Sequence, residues 1–186
     1  KRDDLKKKFN DINGYLKSLK MKSNILNFKK QNIDRIIQLF QRSNQFNLTT
    51  IRYNYNQIES IMKSRNYKAF QLSLSDKFSK YGIISLLVCK IEQKDLIIEN
   101  WVMSCRVLNR TLENFIMNEL YNFCIKNNLK FIIGKFIPTQ KNDLVSALYK
   151  NLGFKKENLN NKSQKFIYSI KDHKIKKTFI NKVIEK

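Results

Sequence analysis

LIIENWVMSCRVLNRTLENFIMNEL, residues 96–120, holds the turning point of this chain. The run from Leu96 to Met103 is almost wholly apolar, as a core strand requires. It gives way to Ser104, Cys105 and two arginines. Leu112, Phe115, Ile116 and Leu120 then recur at helical spacing. A strand that passes straight into a helix leaves unpaired N–H groups and the positive end of the helix dipole facing whatever lies above the turn.

Working outward, KAFQLSLSD alternates through Phe70, Leu72 and Leu74, and GIISLLVCKIE is a buried strand. EQKD turns the chain into the third strand, which makes an antiparallel meander. Beyond the long helix, capped by Thr111 or Asn109, come a strand LKFIIGKFI, an amphipathic helix NDLVSALYKNLGF closed by Gly153, and a last strand QKFIYSI. Before the meander, NIDRIIQLFQRS puts Ile33, Ile36, Ile37 and Phe40 on one helix face, with Asn32 or Asp34 as cap. A polar stretch, NQFNLTTIRY at 44–53, separates it from a short helix carrying Ile58, Ile61 and Met62. The order predicts an α/β (α+β) fold: a mixed, mostly antiparallel central sheet flanked by helices. Residues 1–30, with a weak repeat through Leu5, Phe9, Ile12, Leu16 and Leu19, read as a linking arm, 31–170 as one domain, and 171–186 as a basic tail, amphipathic or disordered.

With 186 residues, 42% hydrophobic, the chain has room for one sizeable core. No apolar segment is long enough to span a bilayer and the charged start is no signal peptide, so a cytoplasmic protein without a membrane partner is expected. The start at Lys1 suggests a piece of a longer polypeptide. Cys89, Cys105 and Cys124 are odd in number and far apart, which argues against a disulfide framework and a CxxC metal pair. The single histidine, His173, lies in the basic end, so no histidine-based triad or metal cluster is expected in the core. The net charge of +22 comes mostly from lysines spread along the chain. It predicts affinity for acidic partners; nucleic acid is disfavoured, because recognition of RNA needs clustered Arg and exposed aromatics.

The element order, with a basic turn before a long helix and a later helix ending ALYKNLGF, resembles the GNAT acyltransferase fold. In that fold the turn cradles the pyrophosphate and pantetheine of acyl-CoA. Its RxxGxG/A signature aligns with Arg106, Val107, Leu108, Asn109, Arg110 and Thr111, so both glycines are replaced. Three separated stretches, RIIQLFQRSNQFNLTTIRY, WVMSCRVLNR and IPTQKNDLVSALYKNLGF, are similar to the C-terminal region of FkbH-like proteins. That resemblance implies an upstream HAD-type domain, an acidic acyl carrier protein as partner, and transfer of a glyceryl-type or small hydroxyacyl group to the carrier's phosphopantetheine thiol in polyketide assembly. It implies a phosphopantetheine arm or acyl-CoA as cofactor and no metal in this region.

On this reading Cys105 is a nucleophile whose thiolate is favoured by the helix end and by Arg106 and Arg110, or else a small buried residue. Arg106 and Arg110 hold the arm's phosphate or are surface cations. Asn109 and Thr111 add donors for the arm or cap the helix. The resemblance further implies pantetheine contact by Asn142 and protonation of a leaving thiolate by Tyr149, which could equally pack on the inner face of its helix. It assigns Asn44, Asn47, Thr49 and Thr50 to the acyl group. Two alternatives stand beside it: a conventional acetyl-CoA-dependent N-acetyltransferase, and a non-catalytic module that docks a carrier protein.

Overall fold

The structure, a computed structural model, describes residues 11–157 and 163–184. Eight strands form one sheet: β1 (Met21–Asn27), β2 (Tyr67–Ser75), β3 (Lys80–Glu92), β4 (Asp95–Met103), β5 (Phe131–Phe136), β6 (Lys155–Glu157), β7 (Gln164–Ser169) and β8 (Ile180–Lys182). Their order across the sheet is β6-β7-β5-β4-β3-β2-β1-β8. Strands β1 to β4 are antiparallel neighbours, and β5, β7 and β6 form a second antiparallel set. The two sets join where β4 and β5 run parallel. A parallel pair needs a crossover, and helix α4 (Leu112–Lys126) supplies it.

The other helices are α1 (Ile12–Ser18), α2 (Ile33–Arg42), α3 (Tyr55–Lys63) and α5 (Leu148–Asn151). Asn54 and Gln57 form a reciprocal capping box that starts α3. Each face of the sheet has its own core. On one side Trp101, Met103 and Ile132 pack with Phe115, Leu120, Tyr149 and Phe154 from α4 and the α5 region. On the other, Val88 and Val102 pack with Ile36, Phe40 and Ile58 from α2 and α3. The alternation in WVM sends Trp101 and Met103 one way and Val102 the other. The indole Nε1 of the fully buried Trp101 donates to Ser85 Oγ at 3.1 Å, and that hydroxyl donates on to Val102 O at 2.9 Å. No buried polar atom of this relay lacks a partner.

The expected domain boundaries do not coincide with the sheet. Within 1–30, residues 12–18 form α1 and 21–27 form β1; residues 1–10 of the expected arm lie outside the described residues. The basic segment from 171 is no free tail either. Asn118 bonds the backbone of Lys176 in both directions, Asn114 donates to Lys177 O, and the chain then pairs as β8 beside β1. Amide side chains on α4 thus strap this segment across the helix, a contact that charge patterning does not reveal. The helix predicted over NDLVSALYKNLGF is broken into a single 3₁₀ turn, Asp143–Val145, and the four-residue α5. Its end is as predicted: Gly153 takes φ +86°, Gly153 N donates to Lys150 O and Phe154 N to Tyr149 O.

Candidate active site

β4 and β5 stay paired only from Asp95/Phe131 to Ile98/Gly134. Beyond that point they part, and the next residue of β4, Glu99, has no partner on β3, where Val88 pairs Asn100 and Cys89 pairs Ile98. Such a bulge bends a strand and raises its twist. The wedge between the diverging strands is filled by the chain itself. Met103 N donates to Phe46 O at 3.1 Å, Leu48 N to Trp101 O at 3.1 Å, and Ile137 N to Leu48 O at 2.8 Å. Thr49 N reaches Asn100 Oδ1, and its hydroxyl donates to Glu99 O at 2.9 Å. Phe46 and Leu48 are buried with Trp101, which Phe46 meets edge to face at 5.6 Å. The polar stretch is therefore a short extended segment pairing both strand edges.

This segment is a wall between two cavities. One, about 450 Å³, lies between the start of α4 and the α5 region, lined by Phe46, Leu108, Leu144, Val145, Leu148 and Leu152 together with Asn109, Thr111, Glu113, Asn114 and Asn151. The other, about 400 Å³, is lined by Ser43, Asn44, Asn47, Thr50, Arg52, Thr139, Gln140 and Lys141. Its lining carries two cations and no carboxylate. Arg52 is held by Asn44, Nη2 to Oδ1 at 2.7 Å.

The turn keeps the backbone that two glycines would supply. Asn109 and Thr111 both take φ +60°. Asn tolerates that region, but for a β-branched residue it is strained. Thr111 is held there by the strap: its hydroxyl accepts from Phe179 N at 3.1 Å and lies 3.2 Å from the Thr178 hydroxyl. Thr111 precedes α4 without a side-chain cap bond, and Glu113 stands in the first turn. Burial raises the pKa of Glu113, partly offset by its own backbone N–H.

The sequence-predicted residues separate into groups. Cys105 is exposed, at the start of a 3₁₀ turn that follows β4, whereas Cys89 and Cys124 are buried. Burial pushes the Cys124 thiol up to about 12 and raises that of Cys89 as well. Arg106 is exposed beside it, with Nε donating to Ser104 Oγ at 3.4 Å. Asn109 and Thr111 line the first cavity; Asn44, Asn47 and Thr50 line the second.

Four residues need correction. Arg110 turns away to the β2–β3 hairpin, pairing with the buried Asp76 carboxylate at 3.0 Å and donating to Tyr81 OH at 2.9 Å, so it is not free for a phosphate. Asn142 is fully buried: Nδ2 donates to Asn47 O and Ile137 O, while Oδ1 accepts from Thr139 N and the Thr139 hydroxyl. No donor or acceptor remains for pantetheine. Thr49 is spent on β4 in the same way. Tyr149 is 2% exposed and does not line the first cavity; its ring lies on Gly134, where an added Cβ would come within 2.4 Å. The backbone of Lys135 approaches the phenol without forming a hydrogen bond, and burial raises its pKa well above the ordinary value.

A parallel β4–α4–β5 unit whose strands part above the helix start is the core of a known architecture, and solved structures with it superpose on this chain. The chain has the GNAT fold. Ribosomal-protein-S18-alanine N-acetyltransferase from Escherichia coli matches with a TM-score of 0.61 at 12% identity, over 80% of this chain and 94% of that one. Spermidine N-acetyltransferase from Vibrio cholerae, solved with CoA and spermine, matches with a TM-score of 0.61 at 11% identity, over 81% and 96%. PaiA N-acetyltransferase from Thermoplasma acidophilum, solved with coenzyme A, gives 0.58 at 11% identity, over 79% and 98%. No family model matches the chain, and no curated protein matches it. Among the described residues, no group of three or more His, Cys, Asp or Glu is placed to hold a metal, and no helix is long and apolar enough to cross a membrane.

Sequence reading missed Phe46 and Leu48 as the wall, and Arg52, Thr139, Gln140 and Lys141 as lining. One signal was present: Phe46, Asn47, Leu48 and Thr49 alternate with period two, the mark of an extended segment. The lining residues from 139 to 141 carry no local signal, because their neighbours in the cavity come from the other end of the domain.

Proposed function

We propose that this chain is an acyltransferase domain that passes a glyceryl-type or other small hydroxyacyl group to the phosphopantetheine thiol of an acidic acyl carrier protein. The observation that carries the choice of a carrier-borne arm over free CoA is the Glu113 carboxylate at the start of α4. When ionised, the Glu113 carboxylate repels a diphosphate where the helix dipole would otherwise stabilise one, and Arg110, which could have offset it, is committed to Asp76. This favours an arm without a diphosphate in the first cavity. Its apolar walls and three Asn side chains do fit an uncharged amide-bearing arm.

The second cavity suits the acyl group. Hydroxyls and amides from Ser43, Asn44, Asn47, Thr50 and Thr139 offer hydrogen bonds to a polyol, and Arg52 and Lys141 favour an anionic one. In this reading the exposed Cys105 thiol, which lines neither cavity, carries the group from donor to arm. The Cys105 thiolate attacks the donor's acyl carbon, forming a thioester as the donor's leaving group departs with the bonding pair. The carrier thiolate then attacks that thioester and Cys105 leaves as thiolate.

Intact-protein mass spectrometry tests this with the full chain, a phosphorylated glycerate, the upstream HAD-type domain and a holo-carrier. The expected result is a glyceryl adduct on Cys105, then on the carrier, with both lost in Cys105→Ser. Undiminished carrier loading by Cys105→Ser would sink the relay.

A further inference from the structure

His173, the only histidine of the chain, lines neither cavity and begins the segment that Asn114 and Asn118 hold across α4. Its ring lies flat on Tyr121 of α4, with centroids 3.9 Å apart and planes 10° apart. Nδ1 is 2.9 Å from the Tyr168 hydroxyl of β7, whose ring meets the imidazole edge-on at 5.9 Å. Nε2 is buried and has no hydrogen-bond partner among the described residues.

This seat fits a neutral imidazole and resists a charged one. With Nδ1–H donating to the Tyr168 hydroxyl, Nε2 carries only a lone pair and no N–H is buried unpaired. Protonation adds an N–H at Nε2, where no acceptor meets it. The face of Tyr121 attracts a cation, but in a flat stack the ring N–H groups point along the ring plane and not at that face. The titratable groups around the ring are Tyr121 from α4, Tyr168 from β7, and Asp172, Lys174 and Lys176 from the segment itself. Lys174 is exposed, and Asp172 is exposed with its charge felt by Tyr168. Lys176 places its Nζ 5.4 Å from the centroid of the Tyr168 ring. Burial first and Lys176 second lower the His173 pKa.

The segment is built to let go. Ile170 and Ile180 anchor its ends in the core, but none of residues 171–179 is buried and Ile175 is 86% exposed. Hydrogen bonds hold it: Lys176 N donates to Asn118 Oδ1 at 2.9 Å, Phe179 N to Thr111 Oγ1 at 3.1 Å, and the Thr178 hydroxyl to Thr111 O at 3.1 Å. Such partly exposed segments open at a fraction of the global unfolding cost. Its far end restrains Thr111 at φ +60°, a strained state for a β-branched residue, so release also relieves strain.

We propose that residues 171–179 are an acid-released latch: a proton on His173 frees the segment from α4 and lets the Thr111 turn relax. The latch stands on its own geometry. Its consequence for a ligand in the first cavity, which Thr111 lines, rests on the acyl-transfer reading. The folded pKa of His173 lies below the unfolded one, so the latch contributes fully above the unfolded value and is lost as pH falls towards the folded one.

A lone histidine gives an unambiguous NMR signal. Its titration in the full chain is expected to give a lower pKa than in the urea-unfolded chain. Hydrogen exchange, corrected for intrinsic rates, reads the Lys176 and Phe179 amides that hold the segment. Their protection should fall by about threefold or more between about pH 7.5 and about pH 5, and by less than about 1.5-fold in His173→Gln. A fall under about 1.5-fold in wild type, an equal fall in His173→Gln, or a folded pKa at or above the unfolded one overturns the latch. Should His173→Gln fail to fold, wild type decides alone: protection must be lost in the interval between the folded and unfolded pKa of His173, and loss outside it overturns the proposal. No ligand and no turnover enter these readouts, so failure of the acyl-transfer reading and failure of the latch are separate results.

Discussion

Asn142 donates its side-chain amide to the carbonyl of Asn47, Nδ2 to O at 2.9 Å across 95 residues of sequence. That bond holds the wall between the two cavities from the side of β5, and the same side chain closes the 139–142 turn. Asn142→Ala removes all four of its hydrogen bonds and leaves buried partners unpaired. A loss of about 2–4 kcal/mol in urea unfolding is expected. Loss of under about 0.5 kcal/mol would mean the wall is held from β4 alone.

Thr50 and Thr111 share a left-handed backbone, φ +59° and +60°, but only Thr111 puts its hydroxyl to structural use. Thr50→Gly relieves strain at no cost in side-chain bonds and should raise stability by about 1 kcal/mol. Thr111→Gly relieves the same strain yet releases the strap, so it should be neutral or destabilising. Thermal melts of the two variants side by side check the contrast.

The raised pKa of Glu113 makes its ionisation a cost to the folded state. Its folded value lies above its unfolded one. The cost is therefore absent below the ordinary carboxylate pKa, grows as pH rises through the interval between the two values, and is complete above the folded one. Glu113→Gln should raise Tm by about 2 °C or more at pH 7 and leave it unchanged near pH 3.5. An equal shift at both pH values would assign the effect to packing.

Burial without a hydrogen bond makes the Tyr149 hydroxyl a liability rather than an acid. Tyr149→Phe should be neutral or stabilising by about 1 kcal/mol and should leave turnover within about twofold of wild type. A loss of turnover of a hundredfold at unchanged stability would restore the proton-donor role. Gly134→Ala, by contrast, drives a methyl into the Tyr149 ring and should cost about 1–3 kcal/mol.

Elements with a strong period were legible in the chain. The face Ile33, Ile36, Phe40 and the pattern through Leu112, Phe115, Ile116 and Leu120 became α2 and α4. The meander and the turn after β4 followed from apolar runs and their breaks. β1 was hidden because Lys22, Asn24 and Asn27 dilute its alternation, and its inward residues Met21 and Ser23 only make sense beside β2 and β8. β8 and β6 have three residues each, too few to show a period. At the site, local sequence identified the turn and the polar stretch. It did not reveal that Arg110 prefers Asp76 or that Asn142 faces Asn47, because each depends on how distant segments meet.

The claim at the centre of this account is that the first cavity takes an uncharged arm and rejects the diphosphate of CoA. Titration calorimetry of the full chain with acetyl-pantetheine and with acetyl-CoA, in the same moderate-salt buffer, tests it most directly. Acetyl-CoA is expected to bind about threefold or more weakly than acetyl-pantetheine, with Glu113→Gln selectively strengthening acetyl-CoA. Acetyl-CoA binding tighter than acetyl-pantetheine by tenfold or more in the wild-type chain would contradict it and favour a conventional CoA-dependent N-acetyltransferase.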